Sequence, residues 1–321
     1  MSRDFLDIDI LSRAQGSLLG QLAGDSLGSL VEFRAPDDIR REYPKGVREL
    51  ADGGTWNTIA GQPTDDSEMA LLLARMLADQ GRYDPEEARK AYMFWLDSGP
   101  FDCGMTVAGG LRGRPNPDSQ ANGAMMRISP LGIFGANHDA GLVAEWARQD
   151  AAITHPHPVC QQANALFTMA IAHAVRQGCD ARDLHWQIMT WAEGMEVDRN
   201  LLDAVRGAAE APPADYVHQQ GWVLTAFRTA LWQLYEADAE TGTRISAANA
   251  LGAVGAGDPE VIEHLNRFLD TQNALFAAGK GADEMHGVEM HEHEDTRRGA
   301  AVGTGQAGRD AVPVGRAPGV R

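Results

Sequence analysis

Residues 62–77 read QPTDDSEMALLLARML, and their spacing decides the fold class. Met69, Leu72, Leu73, Met76 and Leu77 recur at the period of a helix face. The run opens on Thr64-Asp65-Asp66, and those three residues admit two readings. In the plain one, Asp65 is an N-cap and Glu68, three residues on, completes a capping box. The acids also suit the positive end of the helix dipole. In the other, a hydroxyl and two carboxylates on a tight turn point at one cation, which offsets the repulsion between neighbouring Asp side chains. Oxygen ligands without Cys or His select a hard ion such as Mg²⁺, Mn²⁺ or Ca²⁺.

The helical period recurs throughout. Leu11, Leu18, Leu19 and Leu22 share a face. Residues 84–99 start on Asp-Pro and close before Gly99, and residues 160–178 close on Gly178. Further helical stretches fall at 181–195, 221–237 and 258–281. No strand-like alternation is sustained, so the expectation is an all-α body. The long Gly/Pro-rich connections at 34–63, 99–121 and 150–159 are expected to carry the chemistry.

With 321 residues the chain can bury a sizeable core, read here as one helical domain over 1–296. Residues 297–321 hold five Arg and one acid but no Leu, Ile, Met or aromatic residue, and read as a disordered tail. A formal net charge of −17 argues against nucleic acid and anionic membranes as partners. A phosphate-bearing ligand would need metal ions, backbone N–H groups or local Arg. Cys103, Cys160 and Cys179 match neither a disulfide framework nor a zinc pattern. The acidic N-terminus lacks the features of a signal peptide, and no run approaches a membrane span of roughly 18 apolar residues. A soluble, cytoplasmic, monomeric protein is expected.

Other residues stand out singly. Gly16, Gly20, Gly24 and Gly28 line one helical face, which suggests close helix packing. Asp25, within that apolar helix, needs a partner if buried. Glu32 follows where the pattern ends, on what reads as a mobile loop. Asp102 in SGPFDCGMT (98–106) reads equally as a turn residue or an acid/base. Asn122-Gly123 is a turn signal, and Arg127 in the apolar run after it must find a partner. His155 in THPHP (154–158) suits a structural role, a ligand role or a stacking one.

The order GxxxGxxxGDxxG…E, PTDDSEMAL, SGPFDCG, NGAMMRISPLGI, THPHP and GWVLTAFRTALWQL, over residues 11 to about 237, resembles the ADP-ribosylglycohydrolase family. The resemblance implies a compact orthogonal helical bundle and a binuclear Mg²⁺ or Mn²⁺ site that cleaves the glycosidic bond of ADP-ribose. The substrate implied is an ADP-ribosylated protein, arginine-linked first, or ADP-ribose itself. Thr64, Asp65 and Asp66 match the first half of the metal site. Glu32 matches the acid on the loop closing over substrate, and Asp102 the proposed acid/base. Asn122, Gly123 and Met125 fall in the stretch lining the cleft, His155 falls in the loop around the adenine-side ribose, and Asp25 takes a supporting role.

The family's second metal motif, Gly-Gly-Asp-x-Asp-Thr, has no counterpart. HEHEDT (291–296) lies about where it should be, and GRDAVP (308–313) resembles the family's closing turn. Asp295 and Thr296 could stand in for the last Asp-Thr. The plain alternative is an acidic, solvated stretch, which would leave an ADP-ribose-binding module with impaired catalysis.

Overall fold

The computed structural model describes residues 8–214, 219 and 221–241. The expected helix at 258–281, HEHEDT with Asp295 and Thr296, and the tail at 297–321 lie outside them. Among the described residues eleven helices run in the order α1 (Ile8–Gly28), α2 (Pro36–Glu42), α3 (Asp65–Gln80), α4 (Pro85–Asp97), α5 (Met105–Leu111), α6 (Ser129–Gly135), α7 (Ala140–Thr154), α8 (Pro158–Gln177), α9 (Ala181–Gly194), α10 (Arg199–Gly207) and α11 (Val223–Thr241). Among the described residues, β structure is limited to two isolated bridges, Gly53 with Thr58 and Ala121 with Trp222. The all-α expectation holds.

Local chemistry sets the boundaries. Asp84 caps α4 by accepting the N–H of Glu86 and Glu87, and Pro85 fills the first helical position, where its missing N–H costs nothing. Gly81 and Gly178 end α3 and α8 in the left-handed conformation. The loop expected at 150–159 is much shorter. The buried Val143, Ala144, Ala147 and Ala151 extend α7 to Thr154, leaving only 155–157 before α8. The two long connections also carry the short helices α2 and α5.

Helix α8 is central and packs against α1, α6, α7, α9 and α11. Its small residues let neighbours approach from several sides; a Cβ on Gly132 of α6 would lie 2.6 Å from Ile171 Cβ. One apolar cluster joins α8 to α9, α10 and α11 through Leu166, Leu184, Leu201 and Phe227. A second joins α3, α4, α5, α6 and α7 through Leu73, Tyr92, Val107, Leu131 and Ala147. Phe167 packs against both. Truncating a Leu such as Leu73 or Leu166 to Ala in such a core costs about 2–5 kcal/mol.

The glycine face of α1 packs closely only in part. Gly20 is buried, but nothing lies within 4 Å of a Cβ placed on Gly24 or Gly28. Those two glycines flank Asp25 beside open space.

Candidate active site

The first turn of α3 is built differently from a capping box. The N-cap is Thr64, in extended backbone, and its side chain bonds none of the orphan N–H groups. Asp65 is the first helical residue, and Glu68 accepts instead from Trp95 Nε1 at 2.7 Å. The cap comes from another helix. Asp25 accepts the Thr64 N–H with both oxygens (3.1 and 3.0 Å), the Thr64 hydroxyl at 2.7 Å and the Ser67 N–H at 3.1 Å. This is the partner a buried Asp25 requires, and it fixes the turn that carries Thr64, Asp65 and Asp66. Because the Thr64 hydroxyl donates to Asp25, its oxygen lone pairs stay available to a cation.

Gln21, one turn before Asp25, ties this turn to a second segment. Its amide nitrogen donates to the carbonyl of Asp66 (3.2 Å) and to that of Met126 (2.8 Å), while its oxygen accepts the Ser129 hydroxyl. The Asp pair and the 122–126 loop are thereby held at one spacing.

Around the turn gather acids that form no ion pair among the described residues. Burial pushes the Asp65 carboxyl up to about 7, reinforced by Asp102, Asp25, Glu32 and Glu68. Asp66 rises well above the carboxylate range through burial and the charges of Asp25 and Asp65. Glu68 reaches about 7, chiefly by burial, against the bond from Trp95. Asp102, on the loop after α4, is raised to about 6 by burial, then by Glu32 and Asp25. Asp25 is also raised by burial, with its four hydrogen bonds pulling the other way. Six carboxylates from three stretches of chain thus share one field.

Glu32 sits on the turn after α1. It is pinned rather than free: its carbonyl accepts the Thr55 hydroxyl, and its Oε2 accepts Trp56 Nε1 at 2.7 Å. Neither partner is legible in a motif, although Gly53-Gly54 before Thr55 marks a turn.

The segment 122–126, tied to the turn by Gln21, is the floor of the candidate site. Asn122 is half-buried; its N–H donates to the Gly221 carbonyl, and its own carbonyl accepts the N–H of Met125 at 2.7 Å. Met125 is 7% exposed and belongs to the apolar core. His155 has no exposed surface. Both present little or no surface to solvent. His155 lies under Gly123, where a Cβ would come 3.0 Å from His155 Cε1 and 2.9 Å from Val107 Cγ2. Burial and the Arg127 charge push its imidazole down to about 3, so it is neutral.

Below that floor, Arg127 finds the partner it needs. Its Nε donates to Asp150 Oδ1 (3.2 Å), a second nitrogen donates to the Asp150 carbonyl (3.1 Å), and a third to Thr154 Oγ1 (3.0 Å). The guanidinium lies 4.3 Å from the Tyr92 ring centroid, and Tyr92 donates to Asp150 Oδ2 at 2.9 Å. Since Thr154 Oγ1 accepts from Arg127, its proton is directed to His155 Nδ1, 2.8 Å away. The imidazole proton then sits on Nε2, which has no partner.

A family model described as ADP-ribosylglycohydrolase matches residues 6–257. The chain belongs to the ADP-ribosylglycohydrolase family. It is 35% identical over 173 residues to ADP-ribosyl-[dinitrogen reductase] glycohydrolase of Rhodospirillum rubrum, covering 51% of this chain and 58% of that relative. It is 25% identical over 288 residues to ADP-ribosylarginine hydrolase Tri1 of Pseudomonas putida (strain GB-1), covering 79% and 74%. The fold matches a solved structure titled ADP-ribosylglycohydrolase-related protein complex with a TM-score of 0.62 and 24% identity, over 80% of this chain and 93% of that one. The match to the Rhodospirillum relative therefore spans little more than half of that protein's length.

Within this family member the oxygen-rich turn fits a hard cation in donor chemistry and in charge. Among the described residues no group of three or more His, Cys, Asp or Glu side chains could hold a metal ion, and Asp295 and Thr296 lie outside them. No helix among those residues is long and apolar enough to cross a membrane, and the three cysteines are free thiols.

Proposed function

We propose that this protein is a Mg²⁺- or Mn²⁺-dependent hydrolase that releases ADP-ribose from a modified protein side chain, arginine before others. The observation that carries the reading is the gathering of Asp25, Glu32, Asp65, Asp66, Glu68 and Asp102 around the α3 turn, close enough to raise one another's proton affinity. Family membership, and relatives named as a dinitrogen reductase glycohydrolase and an arginine hydrolase, support it. Thr64, Asp65 and Asp66 would hold the ion through their side-chain oxygens. A divalent cation there supplies the positive charge that ribose hydroxyls and a diphosphate require in so acidic a chain.

The remaining roles fall to side chains. Asp102, titrating near 6, holds a proton close to neutrality and can give it to the departing nitrogen. A departing guanidine is strongly basic, so proton delivery at that atom is a large part of the work. Glu32, held by Trp56 at the mouth, is the second carboxylate available to accept a proton from an attacking water. Asn122 and Gly123 line the cleft, with Met125 and His155 shaping it from below.

The test is release of free ADP-ribose from an arginine-ADP-ribosylated protein with millimolar Mg²⁺ or Mn²⁺. Metal-dependent release supports the proposal, and no release with either ion overturns it. The lack of a sequence counterpart to the family's second metal motif favours a second reading, an ADP-ribose-binding module without turnover. Stoichiometric heat of ADP-ribose binding with no release would select that reading.

A further inference from the structure

Residues 53–58 form a tight turn whose place is fixed by glycine. Gly53 and Thr58 exchange backbone hydrogen bonds at 2.8 and 3.0 Å, and Asn57 takes a left-handed φ of 54°. Gly54 has φ 73°, and a Cβ there would lie 2.7 Å from both Leu30 Cα and Ser29 O, so only glycine lets the turn dock on the end of α1. Thr55 secures the docking through its N–H to Ser29 O (3.2 Å) and its hydroxyl to Glu32 O. What the turn carries at its tip is Trp56.

Trp56 touches both carboxylate-bearing loops. Its indole N–H donates to Glu32 Oε2 at 2.7 Å. Its ring meets Phe33 edge-on at 6.4 Å and Phe101 in a tilted contact at 5.9 Å. Phe33 and Phe101 are the sequence neighbours of Glu32 and Asp102. Phe33 is 68% exposed and has a φ of 58°, an arrangement core packing does not explain. An aromatic in that backbone region costs on the order of 1–3 kcal/mol and persists where surrounding contacts impose it.

We propose that Trp56 is a positioning residue that sets the Glu32 carboxylate and spaces it against Asp102. The indole occupies one Glu32 oxygen and leaves the other for the reaction, and its ring keeps the two acid loops at one separation. The assignment deepens the hydrolase reading, since positioning matters only if Glu32 and Asp102 act together.

Two measurements test it, one of which needs no turnover. In ¹⁵N-labelled protein the Trp56 indole signal, identified among seven tryptophans by its loss in Trp56→Phe, is expected to move upfield in Glu32→Ala while the others hold. An unmoved signal overturns the proposal whether or not the protein is an enzyme. In ADP-ribose release, Trp56→Phe, which keeps a ring and removes the N–H, is expected to lower kcat roughly 10- to 100-fold with little change in KM. The loss should be no larger when Glu32→Ala is already present. Additive losses overturn the proposal, as does Trp56→Phe at wild-type kcat. Gly54→Ala, which lifts the turn with Trp56 intact, is expected to reproduce the kcat loss, and wild-type kcat there also counts against it. If the wild type releases no ADP-ribose, the hydrolase reading fails while the indole signal still decides the contact.

Discussion

Two sets of buried charge lie close together in this protein and are built on opposite principles. Under the floor, Arg127 and Asp150 are both fully buried, and nearly every polar atom has a partner inside the fold. At the turn of α3, buried or half-buried acids face one another, and the only relief comes from neutral donors such as Thr64, Ser67 and Trp95. A charge answered within the chain is part of the scaffold. A cluster of like charges is instead where the proposed cation would offset the repulsion.

The comparison can be broken most severely at Arg127. Arg127→Met leaves Asp150 buried and unpaired, and the expected cost is about 3–5 kcal/mol, read as a shift in the denaturant midpoint. A near-silent Arg127→Met would mean the pair is no scaffold. Asp65→Asn should behave oppositely. Stability in chelator is expected to hold or rise, because a repelling charge is gone, while metal-dependent release falls by about 100-fold or more. Equal destabilisation by the two variants would erase the distinction drawn here.

A gentler probe is pH. Asp65 and Glu68 titrate near 7 in the folded chain against ordinary values of 3.8 and 4.5. Groups that hold protons more tightly when folded stabilise the fold below their unfolded values, and that contribution fades as pH rises through the folded ones. The stability of chelated protein is therefore expected to decline from about pH 4 to about pH 7, and Mg²⁺ or Mn²⁺ should flatten the decline. A thermal melt series with and without metal reads both, and a chelated protein equally stable across that window would contradict the unanswered-charge picture.

How much of this the sequence disclosed depends on how local each cause is. Helices α3, α4 and α8 are legible because apolar period, Asp-Pro caps and terminal glycines lie within a few residues of one another. The partner of Arg127 is foreseeable as a necessity but not as Asp150, which comes from a helix 23 residues away. The capping box failed for the same reason: a local rule assigned Glu68 to the helix end, whereas Asp25 caps the turn from 39 to 42 residues away and frees Glu68 for Trp95. Thr64, Asp65, Asp66, Glu32 and Asp102 were all nameable from motifs, and the four acids among them share one field. Gln21 and Trp56 were not, because an amide or an indole in a loop or helix carries no spacing signature; only a folded chain brings them to Asp66 and Glu32.

Gln21 has a consequence of its own. One side chain hydrogen-bonds the backbone of both the acid turn and the 122–126 segment, so the spacing of the two is set by the length of a single amide arm. A shorter or longer residue there would space the two segments differently on an unchanged scaffold. The fold thus carries an adjustable ruler between the acid turn and the 122–126 segment, one substitution away from a new reading.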